Sequence, residues 1–150
     1  MRVPHFEQER DYSCLAACVR MVLAYFNDLR TEQEIRILLK TRPGGTSPAQ
    51  VMLRLPDWGF DAFVQSGSQP ILRAYLAAGT PVIVHVLTAA LANWNFEAIH
   101  AFIVTDLNEQ FVSVNDPASP PAPTLISLDA FLRAWSATDY LTIVIRPLAK

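Results

Sequence analysis

Apolar residues recur at three- and four-residue spacing from Leu15 through Cys18, Val19 and Val22 to Phe26, the stripe of an amphipathic helix over residues 14–26 with Ser13 at its N-cap. Thr31 followed by Glu34 forms a capping box, opening a second helix that runs through Leu39. Gly44-Gly45 interrupts the chain. Ser47, Pro48 and Gln50 then start a third helix, ended by Pro56 and Gly59, and Ser68 with Pro70 opens a fourth that stops at Gly79. Beyond this point the period changes. Residues 81–87 form a β-branched, continuously apolar run, as a buried strand requires. Residues 99–106 and 110–116 read as the arms of a hairpin turning near Asn108. A short helix over 128–135, capped by Ser127, precedes a last strand over 140–146. Helices first and antiparallel strands later give an α+β class. Pro117, Pro120, Pro121 and Pro123 crowd into a segment that reads as a surface loop, because proline cannot donate to a ladder.

The hairpin pattern fixes a register in which Phe102 faces Val114 and Val104 faces Val112 on one buried face. That register places His100 opposite Asp116 and needs an odd-numbered turn, for example Leu107 to Glu109 with a bulge. The other face, pairing Ile103 with Ser113 and Thr105 with Phe111, is mixed. Directly opposed residues have Cβ atoms about 5 Å apart. A carboxylate there can hold an imidazole in one tautomer and stabilise its cation. A plain polar pair at the sheet end is the competing reading.

Composition narrows the classes. The 150 residues fit one domain over 1–150, 51% apolar and 17% charged, which excludes extended disorder. The net charge of -2 and the absence of a basic run make nucleic acid an unexpected partner. No window reaches the ~18 apolar residues of a membrane span. The start, Met1-Arg2-Val3-Pro4-His5, lacks the apolar core of a signal peptide, so a cytoplasmic protein is expected. The only cysteines, Cys14 and Cys18, lie one helical turn apart, where geometry disfavours a disulfide. The three histidines form no ligand spacing with them, and neither a metal nor a cofactor is implied. A thiol attacks as thiolate, and the first turn of a helix favours that anion. Cys14 occupies this place, whereas Cys18 falls among the core positions; by position alone Cys14 is equally readable as an inert buried cysteine.

Gln8, Asp11-Tyr12-Ser13-Cys14, Gly45-Thr46-Ser47-Pro48, Pro81-Val82-Ile83-Val84 and His100 with Asn115-Asp116-Pro117 occur in one order along nearly the whole chain. Together they resemble the papain-like cysteine peptidases that process bacteriocin and other double-glycine leader peptides, in particular their stand-alone relatives. The resemblance implies a papain-like fold, with N-terminal helices packed on a C-terminal antiparallel sheet. It also implies Cys14 as nucleophile, His100 as base, Asp116 as its orienting partner and Gln8 as an oxyanion-hole donor. The backbone N–H of Cys14 would be a second donor. One departure is Leu15, where the family usually has Gly; a bulky side chain there is expected to narrow the cleft and casts doubt on double-glycine specificity. These 150 residues carry no segment like the membrane and ATPase parts of the transporter-linked members, so leader processing coupled to export is not expected.

The expected activity is hydrolysis of a peptide or amide bond through an acyl-enzyme, on a peptide or protein substrate held extended. Transfer or deamidation on the same fold, and a catalytically silent peptide-binding domain, are the alternatives. The residues define no oligomeric state. His85, in a strand-like run, reads as a core histidine, and His5 is left unassigned. Trp94 and Phe96 stand in the segment leading to His100 and are cleft candidates, whereas Trp58 and Trp135 read as core.

Overall fold

The computed structural model describes residues 1–91, 97–121 and 123–149. Its helices are α1 (Cys14–Tyr25), α2 (Glu32–Leu38), α3 (Pro48–Arg54), α4 (Gln69–Ala77) and α5 (Leu128–Ser136). Its strands are β1 (Phe60–Ser66), β2 (Val82–Leu87), β3 (Ile99–Leu107), β4 (Phe111–Asn115), β5 (Thr124–Ser127) and β6 (Leu141–Pro147). The strands form one antiparallel sheet in the order β1-β6-β2-β3-β4-β5. The α+β class and the helix-first, sheet-later order therefore match the sequence pattern.

Local chemistry sets most element ends. The Thr31–Glu34 capping box is formed in both directions, and Ser68 and Ser127 accept from Ile71 and Ala130 at the starts of α4 and α5. Gly59, at φ 88°, ends the turn that follows α3 in the left-handed region open to glycine. Two caps differ from expectation. Neither Ser13 nor Ser47 makes a side-chain cap bond. The Ser13 hydroxyl is turned instead to Arg10 and to the buried carboxylate of Glu32, and Gln50 keeps its oxygen buried without a partner.

The central strands are covered on both faces. Ile83, Ala101, Ile103, Ile143 and Ile145 pack with α1, α2 and α3 residues such as Val19, Ile35 and Val51. The intervening Val82, Val84, Phe102, Val104 and Val144 pack with Leu72, Phe131 and Trp135 from α4 and α5. The second face of the hairpin is thus covered in its middle, where Ile103 is fully buried and Thr105 nearly so, and opens toward Phe111 at the turn end. The pattern also misses two strands. In β1 the apolar Phe63 faces outward, partly exposed beneath the Arg146 guanidinium, which blurs the alternation. β5 is only four residues long and carries alternating burial too short to register.

The hairpin register departs from the expected one by two residues on the side that carries His100. Val104 pairs with Val114 and Ile103 with Asn115, so His100 and Asp116 are not directly opposed. The turn closes through Asn108, whose N–H donates to the Phe111 carbonyl and whose Oδ1 accepts from Gln110 and Phe111. Between Val104 and Asp106 the pairing shifts by one, leaving Thr105 as a bulge. Without the bulge, the pairing of Leu107 with Val112 would continue down the hairpin and place His100 and Asp116 on opposite faces. With it, both lie on the same face.

Among the described residues no helix is long and apolar enough to cross a membrane.

Candidate active site

Cys14 begins α1, and α1 packs across β3. Because β4 ends at Asn115, paired with Ile103, the first residues of β3 are paired with β2 alone. The backbone N–H of Ala101 at this open edge is hydrogen-bonded to the Cys14 sulfur, as is the N–H of Leu15 in the first turn. The unformed Ser13 cap leaves the helix-start N–H groups to the sulfur.

His100 sits on β3 opposite Val86 of β2, its ring edge-on to Phe102 and only 7% exposed. Its Nε2 and the Asp116 Oδ1 are 2.7 Å apart. The hydrogen bond to the Cys14 sulfur is left to the other ring nitrogen, Nδ1. Asp116 lies just past β4, 3% exposed, and the same Oδ1 accepts the Ala118 N–H at 2.9 Å. Diagonal neighbours across a strand pair lie within reach of long side chains, which is how a pair two residues out of register still meets.

Burial pushes the Cys14 thiol up. The His100 hydrogen bond and charge, with the Ala101 and Leu15 N–H groups, outweigh it and leave the pKa below its ordinary 9.0. Burial pushes the His100 imidazole down, and the hydrogen bonds and negative charges of Asp116 and Cys14 reverse this, to about 9. Both shifts favour a thiolate–imidazolium pair around neutral pH. Cys18, one turn further into α1, is fully buried and its thiol is raised well above 9.0 by that burial. The two cysteines of one helix thus have opposite chemistry.

A cleft of about 490 Å³ opens over the sulfur, lined by Gln8, Tyr12, Cys14, Gly44, Gly45 and His100 among others. Of the four candidate site residues, Gln8, Cys14 and His100 line this cleft, and Asp116 is joined to it through His100. The statistical model of the peptidase C39 family matches residues 2–147. The chain belongs to the peptidase C39 family. It is a cysteine-type peptidase.

No curated protein sequence matches it. Among solved structures it is similar to the double glycine motif protease of an AMS/PCAT transporter in complex with the leader peptide, at 21% identity and TM-score 0.75, over 97% of this chain and 92% of that one. It is also similar to the peptidase domain of Streptococcus ComA, a bi-functional ABC transporter, at 20% identity and TM-score 0.80, over 97% and 99%. A C39-like peptidase from Bacillus anthracis aligns at 15% identity and TM-score 0.77, over 99% and 96%. At these identities the likeness is one of fold, papain-like and α+β.

The remaining sequence-predicted residues of this C39 peptidase are placed unevenly. Gln8 lines the cleft and its backbone N–H donates to the Pro117 carbonyl, tying it beside Asp116. Its side-chain NH2, however, donates to the Arg10 carbonyl at 2.8 Å and the Asp11 carbonyl at 3.2 Å, and its Oε1 is buried without a partner. Leu15 does not narrow the cleft: it is 2% exposed and packs into the core beneath α1. His85 is buried as expected but not satisfied, since its Nδ1 has no partner. Burial, with the His100 charge nearby, lowers its pKa to about 4, so it is neutral. His5 reaches the Ser119 carbonyl through Nε2. Trp135 is core, whereas Trp58 is half-buried under the Arg30 guanidinium. Trp94 and Phe96 lie outside the described residues. Sequence reading missed Ala101 and Glu32. A small residue next to His100 gave Ala101 no distinguishing signal, and Glu32, an acid in the first turn of α2, carries no pattern that sets it apart.

Proposed function

We propose that this chain, a single peptidase domain over residues 1–150, hydrolyses a peptide bond through Cys14, His100 and Asp116. The observation that carries the reading is the continuous hydrogen-bonded line from the Cys14 sulfur through the His100 ring to Asp116 Oδ1, with both pKa values moved toward the ion pair. The Cys14 thiolate attacks the scissile carbonyl. His100 then gives its proton to the leaving amine, and water, deprotonated by His100, releases the acid from the acyl-enzyme. Asp116 holds the ring with Nε2–H bonded and stabilises its cation.

The developing oxyanion is assigned to the Cys14 backbone N–H and to the Gln8 amide. The longer of the two Gln8 bonds, to the Asp11 carbonyl at 3.2 Å, is the one whose proton would turn to the substrate. A donor of this kind typically contributes about 3 kcal/mol to lowering the barrier. The substrate is a peptide held extended along the cleft. The open edge of β3 beside Ala101 supports this, as does the leader peptide in the related transporter protease. With Leu15 packed inward, the cleft keeps room for small residues next to the scissile bond.

The test has two parts. Iodoacetamide at pH 6, with the label located by mass spectrometry, should modify Cys14 and spare Cys18, and His100→Ala should slow it by at least about tenfold. A fluorogenic peptide ending in Gly-Gly, alongside a peptide library, should be cleaved by wild type and not by Cys14→Ala. Equal, slow labelling of both thiols would end the reading.

A further inference from the structure

Glu32 is fully exposed to neither solvent nor cleft: it is a 0% exposed carboxylate on α2, outside the line of Cys14, His100 and Asp116. A buried carboxylate is tolerated only when its oxygens are bonded, so its partners define its use. Oε1 accepts the Glu9 N–H at 3.0 Å and lies 3.1 Å from the Ser13 hydroxyl, which donates to it. Oε2 accepts from Arg36 Nε at 2.9 Å, and Arg36 Nη2 also reaches Glu9 Oε1 at 3.2 Å. Glu9 directly follows Gln8, and Ser13 directly precedes Cys14. A single carboxylate oxygen thus joins both ends of the turn that separates the oxyanion donor from the nucleophile. Within the turn, Gln8 Nε2 is bonded to the Arg10 and Asp11 carbonyls and Ser13 Oγ accepts the Arg10 N–H.

We propose that Glu32 is a positioning residue that sets the Gln8 amide relative to the Cys14 sulfur. The inference rests on the reading of Gln8 as an oxyanion donor. The clamp acts on geometry alone. The thiolate depends on His100 and on the Ala101 and Leu15 N–H groups, none of which bonds Glu32. Removing the clamp should therefore impair acyl transfer and leave thiol reactivity in place. A purely structural role would not separate the two.

The experiment is a double-mutant cycle on hydrolysis of the Gly-Gly fluorogenic peptide. Gln8→Ala should lower kcat about 100-fold, the cost of losing one oxyanion donor. Glu32→Ala should lower kcat about 30-fold with KM little changed, as small misplacement of a donor does. In the Gln8→Ala background, Glu32→Ala should cost less than about threefold more, because the group it positions is gone. Alkylation of Cys14 by iodoacetamide should stay within about threefold of wild type in Glu32→Ala, with Cys18 still unlabelled as the control for an intact core. Wild-type kcat in Glu32→Ala, its full cost in the Gln8→Ala background, or labelling of Cys18 overturns the proposal. A Gln8→Ala enzyme with undiminished kcat overturns the Gln8 reading itself, and this result is distinct from the other three. If Glu32→Ala does not fold, Glu32→Gln carries the same cycle. An amide has one acceptor oxygen and must forgo either the turn or Arg36, so a loss of about fivefold is expected. Wild-type kcat in that variant overturns the proposal equally.

Discussion

Cys14 and Cys18 share a helix and differ by one turn, yet burial in the apolar interior raises the pKa of one thiol while the hydrogen bond and charge of His100, with the Ala101 and Leu15 N–H groups, lower that of the other. The pH profile follows from the signs. kcat/KM should rise on the acid side as the thiolate forms, at a pH below the ordinary cysteine value, and fall on the alkaline side near pH 9 as His100 loses its proton. Asp116→Asn keeps an acceptor for Nε2–H and removes the charge that stabilises the cation. It should move the alkaline limb down by about one unit or more, measured as kcat/KM against pH. An unmoved limb would mean that Asp116 orients the ring without tuning it. The residues of the line from sulfur to carboxylate were legible as candidates by type and spacing: a cysteine at the start of an amphipathic helix, and a histidine and an aspartate on two arms of one hairpin. The state of each group was not, because it depends on burial and on backbone donors from distant residues.

At the scale of elements the hairpin is decisive. Its apolar pattern constrains which residues face the core but tolerates a shift of two, since such a shift preserves the face of every side chain. For that reason the sequence pattern led to the correct face for His100 and Asp116 and to the wrong partners. The bulge at Thr105 supplies the odd residue that brings the two onto one face. Deleting Thr105 should make Val104–Val114 and Asp106–Ser113 consecutive pairs of a regular ladder and leave His100 and Asp116 on one face. Far-UV circular dichroism should remain that of an α+β protein, and peptide cleavage and selective Cys14 labelling should both be retained within about tenfold. Loss of both would show that the bulge itself, and not only the count of residues it absorbs, holds the pair. Element ends were readable wherever a cap or breaker acts locally, as at Thr31, Ser68 and Gly59. Reading failed at Ser13, where a buried carboxylate 19 positions away competes for the hydroxyl.

Across the whole molecule, the sheet buries side chains on both faces and takes one histidine into the interior without a partner. His85 has its pKa lowered to about 4 in the fold, against 6.5 for an ordinary histidine. The unfolded chain therefore binds a proton between these values that the fold refuses. Stability is full above pH 6.5 and is lost as pH falls toward 4, by up to about 3 kcal/mol from this group. Around His85 the charged group that matters is His100, whose cation adds to the cost of protonating it. Urea midpoints at pH 7 and pH 4.5 should differ less in His85→Phe than in wild type; an identical difference would show that His85 does not govern the acid loss. His100 works the other way. Its pKa is raised to about 9, so its stabilising share is present below 6.5 and disappears as pH rises through 9.

The amino-acid sequence by itself determined the fold class and the order of most elements, and it offered Cys14, His100 and Asp116 as candidates. Periodicity, capping residues and side-chain chemistry act over a few positions and need no third dimension. Tertiary structure decided what depends on distant contacts. It placed β1 and β5 at the sheet edges, set the bulged register, turned Leu15 inward, diverted Ser13 to Glu32, and docked Cys14 where β3 has lost its neighbour. The physical reason is common to all of these. Burial, ion-pair strength and the direction of a backbone N–H are properties of an assembled interior, where groups far apart in the chain compete for the same few partners.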